Sequence, residues 1–261
     1  MNGMGAVSWR FIKVWRRNLW TYRRIWKVSF LTPLLEPLFF VAAFGLGLSG
    51  FIGDIAYGGK HFDYVTFIAP GLVATAIMNN AFFETTYASF VRMYYQKTFD
   101  GMLATPLSLE EIMIGEIVWS ATKSVVAAML MSGVLAILGF VHPWSVLPLV
   151  PTAFIGGLAF GAIGLWMTGI TPHIEMFNLP VFLFITPMFL FSGTFFPVSS
   201  LPSWATFAAR AFPLYHLVEL CRRAQIGAAE SSLGISVVYL VAFSAIFTAL
   251  AVYAMKKRLI H

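Results

Sequence analysis

Charge is scarce in this sequence and cysteine is almost absent. Only 11% of its residues are Asp, Glu, Lys or Arg, and Cys221 stands alone. One thiol excludes an internal disulfide, a cysteine-based zinc cluster and an iron–sulfur site built from this chain by itself. The common catalytic spacings are missing as well: there is no GxSxG elbow, no HExxH pair and no EF-hand loop, and the five histidines are scattered. Gly53-Asp-Ile-Ala-Tyr-Gly58-Gly59-Lys60 looks briefly like a phosphate loop. Its spacing is one residue off, His61 stands where Ser or Thr belongs, and no strand is expected before it. The chain is therefore not expected to be an enzyme, to hold a metal or to bind a cofactor of its own.

What fills the sequence instead is apolar. Hydrophobic residues make up 59% of the 261 and the mean hydropathy is +0.80, more than a soluble fold can bury. Six segments run long enough to cross a bilayer as helices, near 28–49, 64–90, 112–140, 144–171, 178–196 and 233–255. Continuous runs of this kind do not suit a β-barrel, whose strands alternate over about ten residues. The expected fold class is an all-α integral membrane protein with six transmembrane helices, an N-terminal amphipathic interfacial helix at 1–27 and short re-entrant outer helices before the last span. The net charge of +6 does not point to nucleic acid, because 10 of the 17 Lys and Arg sit in the terminal segments beside apolar spans. Seven of these precede the first span, and Lys256, Lys257 and Arg258 close the chain, so both termini are expected in the cytoplasm. Residues 1–27 lack a secretory cleavage pattern, so the first span is expected to be retained.

Three segments outside the spans carry a pattern. Phe11, Trp15, Leu19, Tyr22 and Trp26 recur at helical spacing, with Arg10, Lys13, Arg17 and Arg24 on another side, which predicts a helix lying at the lipid interface as an anchor or a docking surface. The inner loop 92–109 mixes aromatics with charge around Asp100-Gly101. It predicts a short helix across the membrane face that exposes Tyr94, Tyr95, Phe99, Met102 and Leu103 to a partner or to lipid. The outer segment 197–230 is rich in aromatics but cut by Pro197, Pro202 and Pro213, which predicts two short helices broken at Pro213.

Ionisable residues within spans are costly, so they are informative. Glu36, Glu84 and Glu116 fall at similar inner-leaflet depth; Lys123 is two helical turns beyond Glu116, and Asn80 one turn before Glu84. A buried polar layer joining the first three helices is one reading; side chains that snorkel or are satisfied locally are the other. Pro33 and Pro37 in the first span, and Pro180 and Pro187 in the fifth, permit either a hinge or a static kink. Gly156, Gly157, Gly161 and Gly164 form a small-residue face on the fourth span, for packing within one subunit or between two.

Several stretches in fixed order resemble the ABC type-2 transporter permease family, and most closely its lipo-oligosaccharide, or nodulation-factor, exporter branch. They are Phe67-Ile-Ala-Pro-Gly71, Glu84-Thr-Thr-Tyr-Ala-Ser-Phe90, Lys97-Thr-Phe-Asp-Gly-Met-Leu-Ala-Thr-Pro-Leu-Ser108, Phe191-Ser-Gly-Thr-Phe-Phe-Pro197, Leu201-Pro202 and Pro213-Leu-Tyr-His216. The resemblance implies a permease homodimer in a bacterial inner membrane, paired with two cytoplasmic ABC ATPase subunits that bind the ATP and magnesium. It also implies that the N-terminal helix and the 92–109 loop, with Tyr94, Tyr95, Phe99, Asp100, Met102 and Leu103, contact the ATPase. The cargo it implies is an amphiphile: a lipo-oligosaccharide, another glycolipid or polysaccharide, or a hydrophobic drug. The residues alone leave a proton-coupled transporter using Glu36, Glu84 and Glu116 as the rival reading; a membrane-embedded enzyme or a scaffold has less support.

Overall fold

Apolar runs of this length satisfy their backbone hydrogen bonds internally in lipid only as helices, and helices dominate the chain. The computed structural model describes residues 8–47 and 51–259, with side-chain placement described for all of these except 25, 28–34, 36, 37 and 46. Its helices are α1 Phe11–Phe40, α2 Tyr64–Phe83, α3 Thr98–Leu103, α4 Leu109–Ile137, α5 Val146–Ile170, α6 Asn178–Pro180, α7 Thr186–Phe191, α8 Ser203–Ala211, α9 Pro213–Ile226 and α10 Leu233–Leu259. Among the described residues, five helical rods are long and apolar enough to cross a membrane: Tyr64–Tyr95, Leu109–Ile137, Pro143–Ile170, Ile174–Phe191 and Leu233–Leu259. The side chains of Glu36, Pro33 and Pro37, on which the reading of the span at 28–49 partly rests, lie outside those described.

α2 forms the centre. Phe67, Ile68, Val73, Ala74, Ile77, Met78 and Ala81 are all fully buried, because α4, α5 and α9 enclose the helix. α5 approaches its neighbours closely through the predicted glycine face: a Cβ on Gly157 would stand 2.6 Å from Ala121 Cα, and one on Gly156 would stand 2.6 Å from Leu217 Cδ1. The small residues therefore serve packing within one subunit. α10 lies along α5, and its buried residues Leu240, Ala251 and Met255 face inward while the rest of the helix is largely exposed.

The N-terminal helix departs from expectation. α1 runs unbroken from Phe11 through the predicted boundary at 27 to Phe40, and a π-helical turn, Val41–Leu46, extends it. Its apolar side is covered by its own chain rather than left to lipid alone. Val14 is buried against Gly115 of α4, Trp15 Nε1 donates to Thr122 Oγ1 at 3.0 Å, and Trp15 and Tyr22 both set their rings edge-on to Trp119. Arg10, Lys13 and Arg24 are exposed as predicted, whereas Arg17 turns partly inward.

Prolines shape the rod Ile174–Phe191. Pro180 and Pro187 each lack an N–H, and the intervening Val181–Ile185 winds as a π-helix between α6 and α7. Inside the phosphate-loop lookalike the chain forms a small hairpin that the sequence reading did not anticipate. β1 Ile55–Tyr57 pairs antiparallel with β2 Lys60–Phe62, with Tyr57 opposite Lys60. Gly58 and Gly59, at φ +57° and +77°, make the two-residue turn, which explains the glycine pair without any phosphate. Two short helices, α8 and α9, occupy the segment 197–230; the chain breaks at Phe212, and Pro213 opens α9 as predicted.

Candidate functional site

The site is built where α1, the end of α2 and the first half of α4 meet. Ser108 caps α4: its hydroxyl accepts from the Glu111 N–H while the Glu111 carboxylate accepts from the Ser108 N–H, a reciprocal capping box. The other Glu111 oxygen takes the Ser8 hydroxyl at 2.6 Å, and Arg10 donates to the Pro106 carbonyl at 2.8 Å. The start of α1 is thereby fastened to the loop before α4. Lys256 of α10 pairs with Glu110 at the same end, and Arg258 donates to the Thr168 and Thr171 carbonyls that close α5, each at 2.6 Å.

α2 does not stop at Phe83. Two π-helical stretches, Glu84–Ala88 and Val91–Tyr95, carry the rod onward and bring Arg92 back over Glu84, eight residues earlier. Arg92 donates to Glu84 at 2.9 Å and to Glu116 at 2.5 Å, and Lys123 donates to the second Glu84 oxygen at 2.7 Å. Trp119 Nε1 reaches Glu84 at 3.0 Å; Ser89 Oγ and Asn18 Nδ2 each reach Glu116 at 2.8 Å. Glu116 is fully buried and Glu84 nearly so. Each carboxylate thus holds three partners, two cations and Trp119 on Glu84, one cation with Ser89 and Asn18 on Glu116, which is what burial of charge demands.

Of the predicted polar layer, Glu84, Glu116 and Lys123 come together. Asn80 does not join it: its amide donates to its own helix at the Ala76 carbonyl, 3.0 Å away. The Glu36 side chain lies outside the described residues. Sequence reasoning missed Arg92, the hub, because a span ending near residue 90 leaves Arg92 in a loop; it missed Asn18 because that residue sits in a helix read as interfacial. An Arg eight residues after a span glutamate, just past the expected helix end, was the available signal.

An open cleft of about 810 Å³ borders this network. Arg17, Asn18 and Tyr22 of α1 form one wall, Asn79, Asn80, Phe83, Tyr87 and Arg92 another, and Trp119 and Lys123 of α4 the floor. The inner loop forms the predicted short helix, α3, but its faces differ from expectation. Phe99 is fully buried and Met102 almost so, while Tyr94, Tyr95 and Asp100 are exposed and Leu103 is half-buried. Phe99 and Met102 pack against the body of the protein because α3 lies on α4 and on the Val91–Tyr95 turn.

A second polar cluster lies at the other end of α2. Tyr57 of β1 donates to Glu219 of α9, whose other oxygen accepts the Glu230 and Ser231 N–H groups at 2.7 and 2.9 Å. Burial pushes the Tyr57 phenol well above its ordinary pKa, so it acts as a donor. Arg222, 1% exposed, donates to the Gly193 carbonyl and lies 4.0 Å from the Phe67 ring centroid. α9, the hairpin and the loop after α7 are thereby joined. The sequence reading had no signal for this cluster beyond Glu219 and Arg222 falling one turn apart.

Residues 10–226 match the family model described as ABC-2 type transporter. The chain belongs to the ABC-2 type transporter family. Among relatives of this ABC-2 permease, "Nodulation protein J" of Rhizobium leguminosarum bv. trifolii is 39% identical over 223 residues, which is 85% of this chain and 83% of that one. The protein of the same name from Rhizobium meliloti (strain 1021) is 32% identical over 254 residues, 97% of this chain and 95% of that one. "Inner membrane transport permease YadH" of Escherichia coli (strain K12) is 23% identical over 247 residues, 92% and 94% of the two chains. The matched region takes in α1 from its first turn, the charged network, α3 and the helices α8 and α9. The ABC-2 permease is thus a multi-pass membrane transport protein.

Proposed function

We propose that this chain is the membrane subunit of an ATP-driven exporter in a bacterial inner membrane. It acts as a homodimer with two separate ABC ATPase subunits on the cytoplasmic side, where the ATP and magnesium are held. Both termini lie in the cytoplasm, a sixth span runs through 28–49, and α8 and α9 dip into the outer leaflet as re-entrant helices. The cargo is an amphiphile of the lipo-oligosaccharide kind, or another glycolipid, polysaccharide or hydrophobic drug; relatives named for nodulation support that order.

The observation that carries this reading is the Arg92 hub. A force applied to exposed Tyr94, Tyr95 and Asp100 enters the rod whose Arg92 holds α4 through Glu116 and whose neighbours hold α1 through Asn18. Phe99, Met102 and Leu103 then seat α3 rather than touch the ATPase directly. The interface helix contributes Arg10, Lys13 and Arg24 to the same cytoplasmic face. Pairing of Glu84 and Glu116 with cations leaves neither carboxylate free for a proton relay, which weighs against the proton-coupled reading.

The test is a gentle-detergent pull-down of the tagged chain expressed with its neighbouring open reading frames. Recovery of a phosphate-loop ATPase whose hydrolysis rises in the complex supports the reading. Transport by the purified chain alone under a pH gradient contradicts it.

A further inference from the structure

The cleft beside the Arg92 hub has a charge that its own residues do not balance. Its lining holds three cations, Arg17, Arg92 and Lys123, and one carboxylate, Glu84. Glu116, behind Arg92, matches one more positive charge, so among the described residues one cation remains over. The geometry singles out Arg17 as that cation. Its guanidinium donates to Asn18 at 3.0 Å and more weakly to Thr98 at 3.5 Å, both neutral groups, and among the described residues no carboxylate lies within ion-pairing distance of it, Glu116 attracting it only from farther off. Arg92 Nε is also buried without a hydrogen-bond partner.

The cleft's shape says where such an anion sits. Its lining runs along the α2 rod from Gln96 to Asn79, about 20–25 Å at helical rise, against a hydrocarbon core of roughly 30 Å. Polar side chains follow that path at depth, with Asn79, Asn80 and Thr21 beside the charges, while Phe83, Tyr87 and Val91 supply an apolar flank. A wholly apolar occupant would leave the Arg17 charge without a counter-ion in lipid, and a small free anion would leave the apolar flank uncovered.

We propose that this cleft binds the headgroup of an amphiphile carrying a single negative charge, such as a phosphate monoanion or diester, with Arg17 as its counter-ion and Asn80 among its polar contacts. The proposal rests on the membrane-subunit reading, because it takes the Gln96 end as the cytoplasmic side, and it narrows the cargo to anionic headgroups entering from the inner leaflet.

The experiment is native mass spectrometry of the full detergent-purified chain with three probes: dioctanoyl phosphatidic acid, dioctanoylglycerol and inorganic phosphate. The expected result is a phosphatidic acid adduct at least about ten-fold tighter than either of the others, from the charge and the apolar flank acting together. Arg17→Gln and Asn80→Ala each weaken it several-fold, Arg17→Lys restores much of it, and Arg24→Gln on the exposed side of the same helix leaves it unchanged. Equal binding of dioctanoylglycerol, equal binding of phosphate alone, or wild-type affinity in both Arg17→Gln and Asn80→Ala overturns the proposal. The ATPase pull-down on the same preparations separates the two claims. An adduct that behaves as expected in a chain recruiting no ATPase supports the cleft and overturns the exporter reading; ATPase recruited by a chain with no selective adduct does the reverse.

Discussion

Arg92 Nη2 lies 2.5 Å from Glu116 Oε2, and this contact ties the last turns of the Tyr64–Tyr95 rod to α4. Arg92 is the only cation within salt-bridge distance of Glu116 among the described residues, and Glu116 is fully buried. Truncating one partner of a buried ion pair strands the other and costs about 3–5 kcal/mol. Arg92→Ala is therefore expected to lower the thermal midpoint in detergent sharply. Glu116→Gln added to it should recover part of the loss, because the stranded charge is gone; a double variant no more stable than the single one would contradict the pairing.

Lys123 and Lys60 make a matched comparison. Lys123 holds Glu84 at 2.7 Å within the network, whereas Lys60 is exposed in the hairpin and only approaches the Gly227 carbonyl at 3.3 Å. Lys123→Ala is expected to destabilise the protein and abolish transport, while Lys60→Ala stays within about 0.5 kcal/mol of the parent. Unfolding midpoints and a vesicle export assay on both variants decide it; equal tolerance would remove the network from the working mechanism.

The inner loop divides into support and contact. Phe99 is fully buried, so Phe99→Ala should cost about 3–5 kcal/mol, as large-to-small changes in a packed interior do. Tyr94 and Tyr95 are at least half exposed, so replacing both with Ala should leave the midpoint nearly unchanged yet reduce ATPase co-purification several-fold. ATPase recovery unaffected by the double tyrosine change would move the docking surface elsewhere.

His216 gives the α9 end of the protein a dependence on pH. It sits in α9 with Nε2 3.0 Å from the Arg210 carbonyl and Nδ1 3.2 Å from Ser236 Oγ, so the neutral ring donates from Nε2 and accepts at Nδ1. Burial lowers its pKa, against smaller raising effects of the Arg210 carbonyl and of Glu219, so the unfolded chain takes up the proton first as pH falls. The stability contribution is complete above the ordinary histidine value of about 6.5 and declines below it. Melting measured between pH 8 and pH 5 should show a fall below pH 6.5 that His216→Gln flattens; identical profiles would contradict the assignment.

Much of this architecture was legible because lipid leaves the chain few options. The spans near 64–90, 112–140, 144–171, 178–196 and 233–255 follow from continuous apolar length, and α3 and the break before Pro213 follow from local turn chemistry. The co-location of Glu84, Glu116 and Lys123 follows from counting turns along helices of known depth. What stayed hidden depended on where helices end and which faces meet. Arg92 was assigned to a loop because π-helical winding past Glu84 leaves no mark in composition. Phe99 and Met102 read as exposed because their cover comes from α4 and the Val91–Tyr95 turn folding onto α3, and the spacing within α3 does not report which elements pack on it. Arg17 read as one more basic residue on an interfacial helix, and only the packing of α1 on α4 turns it toward the cleft.

The most direct test places the purified chain in proteoliposomes with and without its ATPase and follows export of an anionic amphiphile. ATP-dependent export that requires the ATPase, and that Arg92→Ala eliminates even where the complex still assembles, is the result expected. Sustained export by the chain alone, driven by a pH gradient and indifferent to nucleotide, would contradict the account.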